Sequence, residues 1–412
     1  MSFIIAAIPV FLILIAIELI ADKVRGTGYY QFNDALNSLN LGVLSRVSGI
    51  LLAAIPISAY YWLYHNHAIW QLSDQSIAVW FFAFIAYDLG YYWVHRLGHR
   101  VSVMWGSHVV HHSSEEYNLT TALRQTSTPS LFGWIIYLPM AVIGVSPELA
   151  VACGSLNLIY QFWVHTRHVD KLPQWYEAIF VTPSHHRVHH ALNRDYIDKN
   201  FAGVFILWDK LFGSFQPEKN EVKIVYGVSH QLKSWNPVWA NFQVYWNLCI
   251  DALHTRKIKD KIKVFFMPPG WRPSDVKQKF PRRYATTKTM VKYDVEISSS
   301  YKAYLLIHFI VFLGLIFAFI LSVASNNLLT NWTLCAVAIL NLVVISSIQE
   351  QKYWHVWAEP VRVIITAFTL NTMLIPFQIN WLTEILLASS ILSIISFTRL
   401  KRRENEPVHS TS

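Results

Sequence analysis

From residue 303 to residue 349 the chain contains no Asp, Glu, Lys or Arg. A helix needs about 20 such apolar residues to cross about 30 Å of hydrocarbon, so this run reads as two membrane helices joined near Asn326, Asn327 and Asn331. Similar windows elsewhere bring the expected spans to nine: residues 3–19, 47–64, 77–94, 128–143, 148–164, 303–324, 328–347, 363–376 and 381–397. Gly144, Ser146 and Pro147 mark a tight turn between the fourth and fifth. The first window lacks a basic start and a small-residue cleavage site, and reads as an uncleaved helix. Only 14% of the residues are charged, against about 25% in soluble domains, which excludes disordered, collagenous and ordinary cytosolic chains.

The net charge of +9 is unevenly placed, because residues 166–302 carry 22 of the 34 Lys and Arg. That stretch fits a basic cytoplasmic segment facing anionic lipid better than a nucleic-acid surface. With nine crossings, Lys23, Arg25, Arg46, Arg96, Arg100, Arg124, the 166–302 stretch, Lys352, Arg362 and the basic end after residue 398 all fall on one side. The opposite loops carry no Lys or Arg, as the positive-inside rule requires. The expected fold is an all-α polytopic membrane protein with about nine transmembrane helices and a cytoplasmic helical cap. Residues 1–300 form its front domain and residues 301–412 a four-helix membrane domain. Cys153, Cys249 and Cys335 make no CxxC pair, so neither a disulfide framework nor a thiolate zinc site is supported.

Eleven of the 18 histidines fall in four tight groups, and all four lie on the cytoplasmic side of this topology. His95 and His99 are four apart at the end of the third span, on one helical face. His108, His111 and His112 repeat the shared-face spacing, and so do His186, His189 and His190, preceded by His185. His165 stands at the membrane edge, with His168 behind it. One histidine is ordinarily a packed polar side chain, as His308 inside the sixth span reads. Eight regularly spaced imidazoles exceed the three or four that a structural zinc needs, so two metals are the economical reading. Neutral imidazole suits Zn, Cu, Fe and Ni, and spacing alone does not choose among them.

The boxes HRLGH (95–99), HVVHH (108–112) and HRVHH (186–190) resemble those of the membrane fatty acid hydroxylase and sterol desaturase superfamily. The stretches HHSSEEYNLTTALRQ (111–125) and DKNFAGVFILWDKLFG (198–213) resemble its ether-lipid-cleaving branch, the alkylglycerol monooxygenases. The resemblance implies an O2-activating centre of two Fe ions held by His95, His99, His108, His111, His112, His186, His189 and His190, with His165 completing the set. His185 is kept as a ligand or as a hydrogen-bonding neighbour of one. Such imidazoles need acceptors for their second nitrogen; Asp88, on the helix of His95, and Glu115 and Glu116 are the expected ones.

The implied reaction hydroxylates the carbon beside an ether oxygen, giving a hemiacetal that breaks into a fatty aldehyde and a glycerol. A sterol, fatty acid or carotenoid hydroxylase or desaturase would share the boxes. A metal transporter would instead place its ligands near the bilayer midplane on broken helices. No flavin fingerprint, haem domain or CxxC cluster is present, so electrons come from an external donor. The resemblance implies tetrahydrobiopterin for that role, although no pterin-binding pattern is legible. The expected partners are thus a lipid substrate, O2, the donor and the membrane, with no nucleic acid.

Overall fold

The computed structural model describes residues 3–128 and 132–374, together with 391, 395, 397 and 398. Among these residues the protein is helical throughout, with two isolated β-bridges, Phe180 to Phe205 and Ala191 to Tyr226. It divides into two compact units, Met1–Lys233 with Trp239–Tyr293, and Ser234–Val238 with Asp294–Ser412.

In the first unit, α1 (Phe3–Arg25), α2 (Phe32–Leu52), α3 (Ala54–His67) and α4 (Ile77–Arg100) precede three short helices. These are α5 (Ser102–Gly106), α6 (Val109–His112) and α7 (Leu119–Leu123). After a 3-10 turn come α8 (Leu138–Ile143), α9 (Pro147–Trp163), α10 (Gln174–Glu177), α11 (Pro183–His189) and α12 (Leu207–Leu211). The series continues with α13 (Pro237–His254), α14 (Ile258–Phe266) and α15 (Ser274–Lys279). The second unit holds α16 (Ser299–Ser322), α17 (Leu328–Gln349) and α18 (His355–Leu374), with α17 packed on both neighbours.

Four of these helices, α2, α4, α16 and α17, are long and apolar enough to cross a membrane. The limits of α16 and α17 follow from their sequence: Ser298 and Asn327 accept from the backbone N–H groups of Tyr301 and Thr330 and so cap two orphan-donor ends. The turn expected at 144–147 is present. Gly144 takes φ 112, a left-handed value open to glycine, and Ser146 caps α9 with Pro147 in the first helical position.

Two expected spans differ from the structure. The window 47–64 is split at Ala53, because Pro56 has no N–H to return to the carbonyl of Leu52; the helix instead reaches back to Phe32. The described part of window 128–143 is the 3-10 turn Gly133–Tyr137 and the short α8. Even at a 3-10 rise of about 2.0 Å per residue, this piece reaches only about 20 Å, too little to cross alone. Residues 129–131, the end of the 363–376 window and nearly all of 381–397 lie outside the described residues.

The first unit is assembled around α4 and α9, which pack on each other, with α1 against α9 and α3 against α8. Phe11 stacks on Phe162 at 4.0 Å and joins α1 to α9. Ala83, Met140, Ala141, Leu149 and Cys153 fill the space between α4, α8 and α9. These contacts fix the C-terminal end of α4, where His95 and His99 lie, next to the last turn of α9 and His165.

Candidate metal centre

Nine histidines converge in the first unit, in two groups. His95, His99, His108, His112 and His189 form one; His111, His165, His186 and His190 form the other, and within each group the ligand atoms lie within 4.8 Å of one another. The groups abut, with the His112 ring stacked on His190 at 4.4 Å. All nine are buried except His108, which is half-buried.

Local helix geometry explains who joins which group. Pairs four apart share a face: 95 with 99 on α4, and 108 with 112 about α6, enter the first group, and 186 with 190 on α11 enter the second. Adjacent residues diverge by about 100°, so His111 and His112 part, and likewise His189 and His190. Side-chain ties hold these short helices in place. The guanidinium of Arg124, fully buried, donates to Val110 O and Ser113 Oγ beside α6. Arg187 on α11 pairs with Glu218 and donates to the carbonyls of Thr166 and Val169, just past α9.

Hydrogen bonding fixes the tautomers. The Nδ1 atoms of His95, His111, His165 and His189 lie 2.6, 3.1, 2.8 and 2.9 Å from the carbonyl oxygens of Phe201, Arg124, Gln161 and Lys199. A carbonyl only accepts, so each Nδ1 carries the proton and each neutral ring presents a lone pair at Nε2. The Nε2 atoms of His111 and His165 then face each other at 3.1 Å with no proton between them. Nε2 of His112 lies 3.2, 3.0 and 3.1 Å from those of His99, His108 and His189, yet one ring nitrogen can share only one proton. His95 Nε2 is buried with no hydrogen-bond partner among the described residues.

Protonation is no remedy. Burial away from water holds His111 down at about 4 and His189 at about 3, and burial with the neighbouring rings keeps His112, His186 and His190 well below the usual imidazole value. A shared cation satisfies all these lone pairs at once. With a metal–nitrogen length of about 2.1 Å, right-angle ligands lie about 3.0 Å apart and tetrahedral ones about 3.4 Å apart, which brackets the observed spacings. The donor set therefore fits two transition-metal ions in adjoining nests of imidazole.

The expected acidic acceptors stand elsewhere. Asp88 reaches none of the nine rings: its carboxylate accepts from Asn157 Nδ2, the N–H groups of Val204 and Phe205, and Trp208 Nε1. Gly203 permits this approach, since a Cβ there would come within 3.0 Å of Asp88 Oδ1. Asp88 thus acts at one remove, by holding the segment whose Phe201 carbonyl orients His95. Glu115 accepts from Gln231 and the Tyr293 N–H, and Glu116 pairs with Arg167 and Lys292. The His185 ring lies against Phe215, outside both groups, and His168 bonds Arg25.

Backbone carbonyls take the place of those acids, and a carbonyl leaves no mark in a sequence. The segment around residue 200 does have a legible signal: Asp198 and Asn200 adopt left-handed φ of 59° and 55°, a region where Asp and Asn are enriched. Asp209 grips the next residues through the N–H groups of Phe201 and Ala202 at 2.8 Å. Asp198, 3.6 Å from His99 Nδ1, also pairs with Arg100.

A cavity of about 640 Å³ opens between α1, α2, α4 and α9. Phe11, Leu123, Phe132, Leu158 and Phe162 give it an apolar wall, and His95, His108, His111 and His165 belong to that wall as well. Members of both nests therefore meet one apolar space.

Comparison with known proteins gives consistent findings. The family profile described as fatty acid hydroxylase matches residues 80–214, which contain all nine histidines. Alkylglycerol monooxygenase of Xenopus tropicalis is 36% identical over 309 residues, 74% of this chain and 68% of that protein. Alkylglycerol monooxygenase of Homo sapiens is 41% identical over 268 residues, 65% of this chain, and the match spans 59% of the human protein. An ornithine lipid hydroxylase of Rhizobium tropici is 25% identical over 156 residues, 37% of this chain and 46% of that protein. No solved structure matches the chain significantly.

Proposed function

Because the chain belongs to the fatty acid hydroxylase and sterol desaturase superfamily, in the branch of the alkylglycerol monooxygenases, we propose that it is a membrane-bound, O2-dependent diiron monooxygenase. Its substrate is an alkylglycerol lipid, hydroxylated at the carbon next to the ether oxygen. The reading is carried by one observation: two nests of imidazole lone pairs in the wall of a single apolar cavity.

His95, His99, His108, His112 and His189 hold one iron, and His111, His165, His186 and His190 the other. When bound, the two ions supply the O2 chemistry of C–H hydroxylation, which no side chain can perform. The protein's own contributions are distinct. The carbonyls of Phe201, Arg124, Gln161 and Lys199 orient four rings and keep their Nε2 atoms free of protons. The aromatic and aliphatic wall excludes water and takes up the alkyl chain, so the ether carbon is presented at the nests. In balance, the ether, O2, two electrons and two protons give the hemiacetal and water; the hemiacetal then breaks its carbon–oxygen bond to the glycerol, releasing the fatty aldehyde. A tetrahydropterin serves as external two-electron donor.

The same reading assigns the chemistry to residues 1–300 and a membrane-embedded packing role to residues 301–412. It also places the histidines on the cytoplasmic side of the membrane. Accessibility labelling tests the topology: Arg100→Cys and Lys219→Cys should both react from the cytoplasmic side, and reaction from the opposite side overturns it. For the reaction, protein purified in lipid should consume O2 with an alkylglycerol and tetrahydrobiopterin and release fatty aldehyde. Pterin-independent oxidation of a sterol, with the ether lipid intact, would replace the substrate assignment by the sterol alternative.

A further inference from the structure

Helices α13 and α14 carry apolar faces that the first unit leaves uncovered. Along α13, Trp239, Phe242, Trp246, Cys249 and Leu253 recur at helical spacing and all are exposed, Leu253 to 72%. Along α14, Ile258, Ile262 and Phe266 are 76%, 63% and 64% exposed, while Val264 on the opposite face is fully buried and α14 packs on α5. A row of large apolar side chains of this length marks a contact surface.

The chemistry beside the row selects the partner. Lys259 and Lys263 follow Ile258 and Ile262 by one position, are exposed, and have no carboxylate partner among the described residues. The other nearby lysines are engaged internally: Lys261 Nζ donates to the Ala252 carbonyl and Lys257 Nζ to Ser274 Oγ. An apolar stripe flanked by free lysines, with tryptophans on the neighbouring helix, fits the boundary between lipid headgroups and acyl chains. The lysine stems can lie along the apolar layer while their ammonium groups reach anionic phosphates.

Position agrees with chemistry. Helix α4, long and apolar enough to cross a membrane, ends at Arg100, and α5 follows directly. Both surface helices are pinned to α5. The Ser102 N–H and hydroxyl donate to the Met267 carbonyl at the end of α14, at 3.0 and 2.8 Å. Tyr245 on α13 shares a 2.6 Å hydrogen bond with Ser107, and its ring lies so close to Gly106 that a Cβ there would come within 2.7 Å. The exposed stripes are therefore held at the level where α4 leaves the bilayer.

We propose that α13 and α14 form an interfacial platform that lies in the anionic leaflet beside the exit of α4, with Lys259 and Lys263 binding lipid phosphates. The inference is independent of the reaction. It can be tested on the whole protein in nanodiscs of phosphatidylcholine, with and without phosphatidylserine. Cys249 is exposed whereas Cys153 and Cys335 are buried, so a nitroxide reagent goes to Cys249. Ile262→Cys in a Cys249→Ser background provides a second probe on α14, and Lys277→Cys in the same background an aqueous control. Oxygen should collide with the labels at 249 and 262 several-fold more effectively than a water-soluble nickel chelate, with the order reversed at 277. Phosphatidylserine should increase this bias at 262, and Lys259→Gln with Lys263→Gln should remove the increase. Preferential nickel access at 249 and 262 overturns the platform. So does shielding from both reagents with spin–spin broadening, which would mean that a second copy covers the face. Equal bias at 262 in both lipids overturns the phosphate contacts.

Discussion

Each unit buries a polar cluster, and the two clusters obey opposite rules. In the second unit Arg362 is fully buried, yet every side of it is answered: Nε and Nη2 reach Glu359, Nη1 donates to Asn341 Oδ1 at 2.8 Å, and Nη2 donates to His308 Nδ1 at 2.9 Å. Tyr304 closes the network on Glu359, and Thr366 on Asn341. His308 is thus a packed polar residue with a protein partner. The histidine nests have no such closure, since they gather nine bases without an acid among them. A cluster that is complete in itself calls for nothing from outside; one that leaves lone pairs facing each other calls for a ligand.

The strongest test of this contrast removes single imidazoles. His111→Ala and His189→Ala should each lower bound metal from about two ions per chain to one or fewer, as measured by mass spectrometry of the purified protein, because a nest is left short of a donor. Alkylglycerol turnover should be lost while the protein stays in the membrane. Full metal content in either variant would break the distinction between the two clusters.

Arg362→Met should behave in the converse way. It strands Glu359 without its partner and should destabilise the protein by about 3–5 kcal/mol, read as an earlier thermal transition in detergent, with metal per folded chain unchanged. Adding Glu359→Gln should recover most of the loss, since the uncompensated charge is then gone. Recovery that fails would show that the network does more than satisfy itself.

Asp88→Asn should fall between these extremes. The segment carrying the Phe201 carbonyl would be held less firmly, and loss of such outer support typically costs about 10–100-fold in metal affinity or activity. Competition with a chelator would measure it. The smallest effect belongs to His185→Gln, which should keep both ions, since His185 directly precedes the 186–190 box in sequence but lies outside the nests.

These cases also show what a sequence can reveal about such a centre. Pairs such as His95 with His99 and His186 with His190 are legible because helical periodicity alone puts them on one face. The assignment of His111 and His189 to the nest opposite their neighbours follows from the same geometry once α6 and α11 are set beside each other, which is a tertiary fact. Asp88, Glu115 and Glu116 are the expected acceptors because only side chains can be read from a sequence, whereas behind His95, His111 and His189 the structure uses main-chain oxygens, and the acid that stands beside a ring is Asp198, 3.6 Å from His99 Nδ1. The spans show a similar division. Apolar length locates α16 and α17 well, while the break at Ala53 turns on the missing donor of Pro56 and the short helix before Gly144 on packing against α3.

The exchange of neighbours between nests bears on how the centre is assembled. Because α6 and α11 each send ligands to both sides, an ion held in either nest would bear on the donors of the other through both helices, so the two binding steps should be linked. Uptake should therefore be positively cooperative. Native mass spectra taken during titration should show chains with no ion or with two, and the singly occupied form should be scarce. A cell that runs short of metal would then hold a mixture of filled and empty molecules, with few of them half-filled.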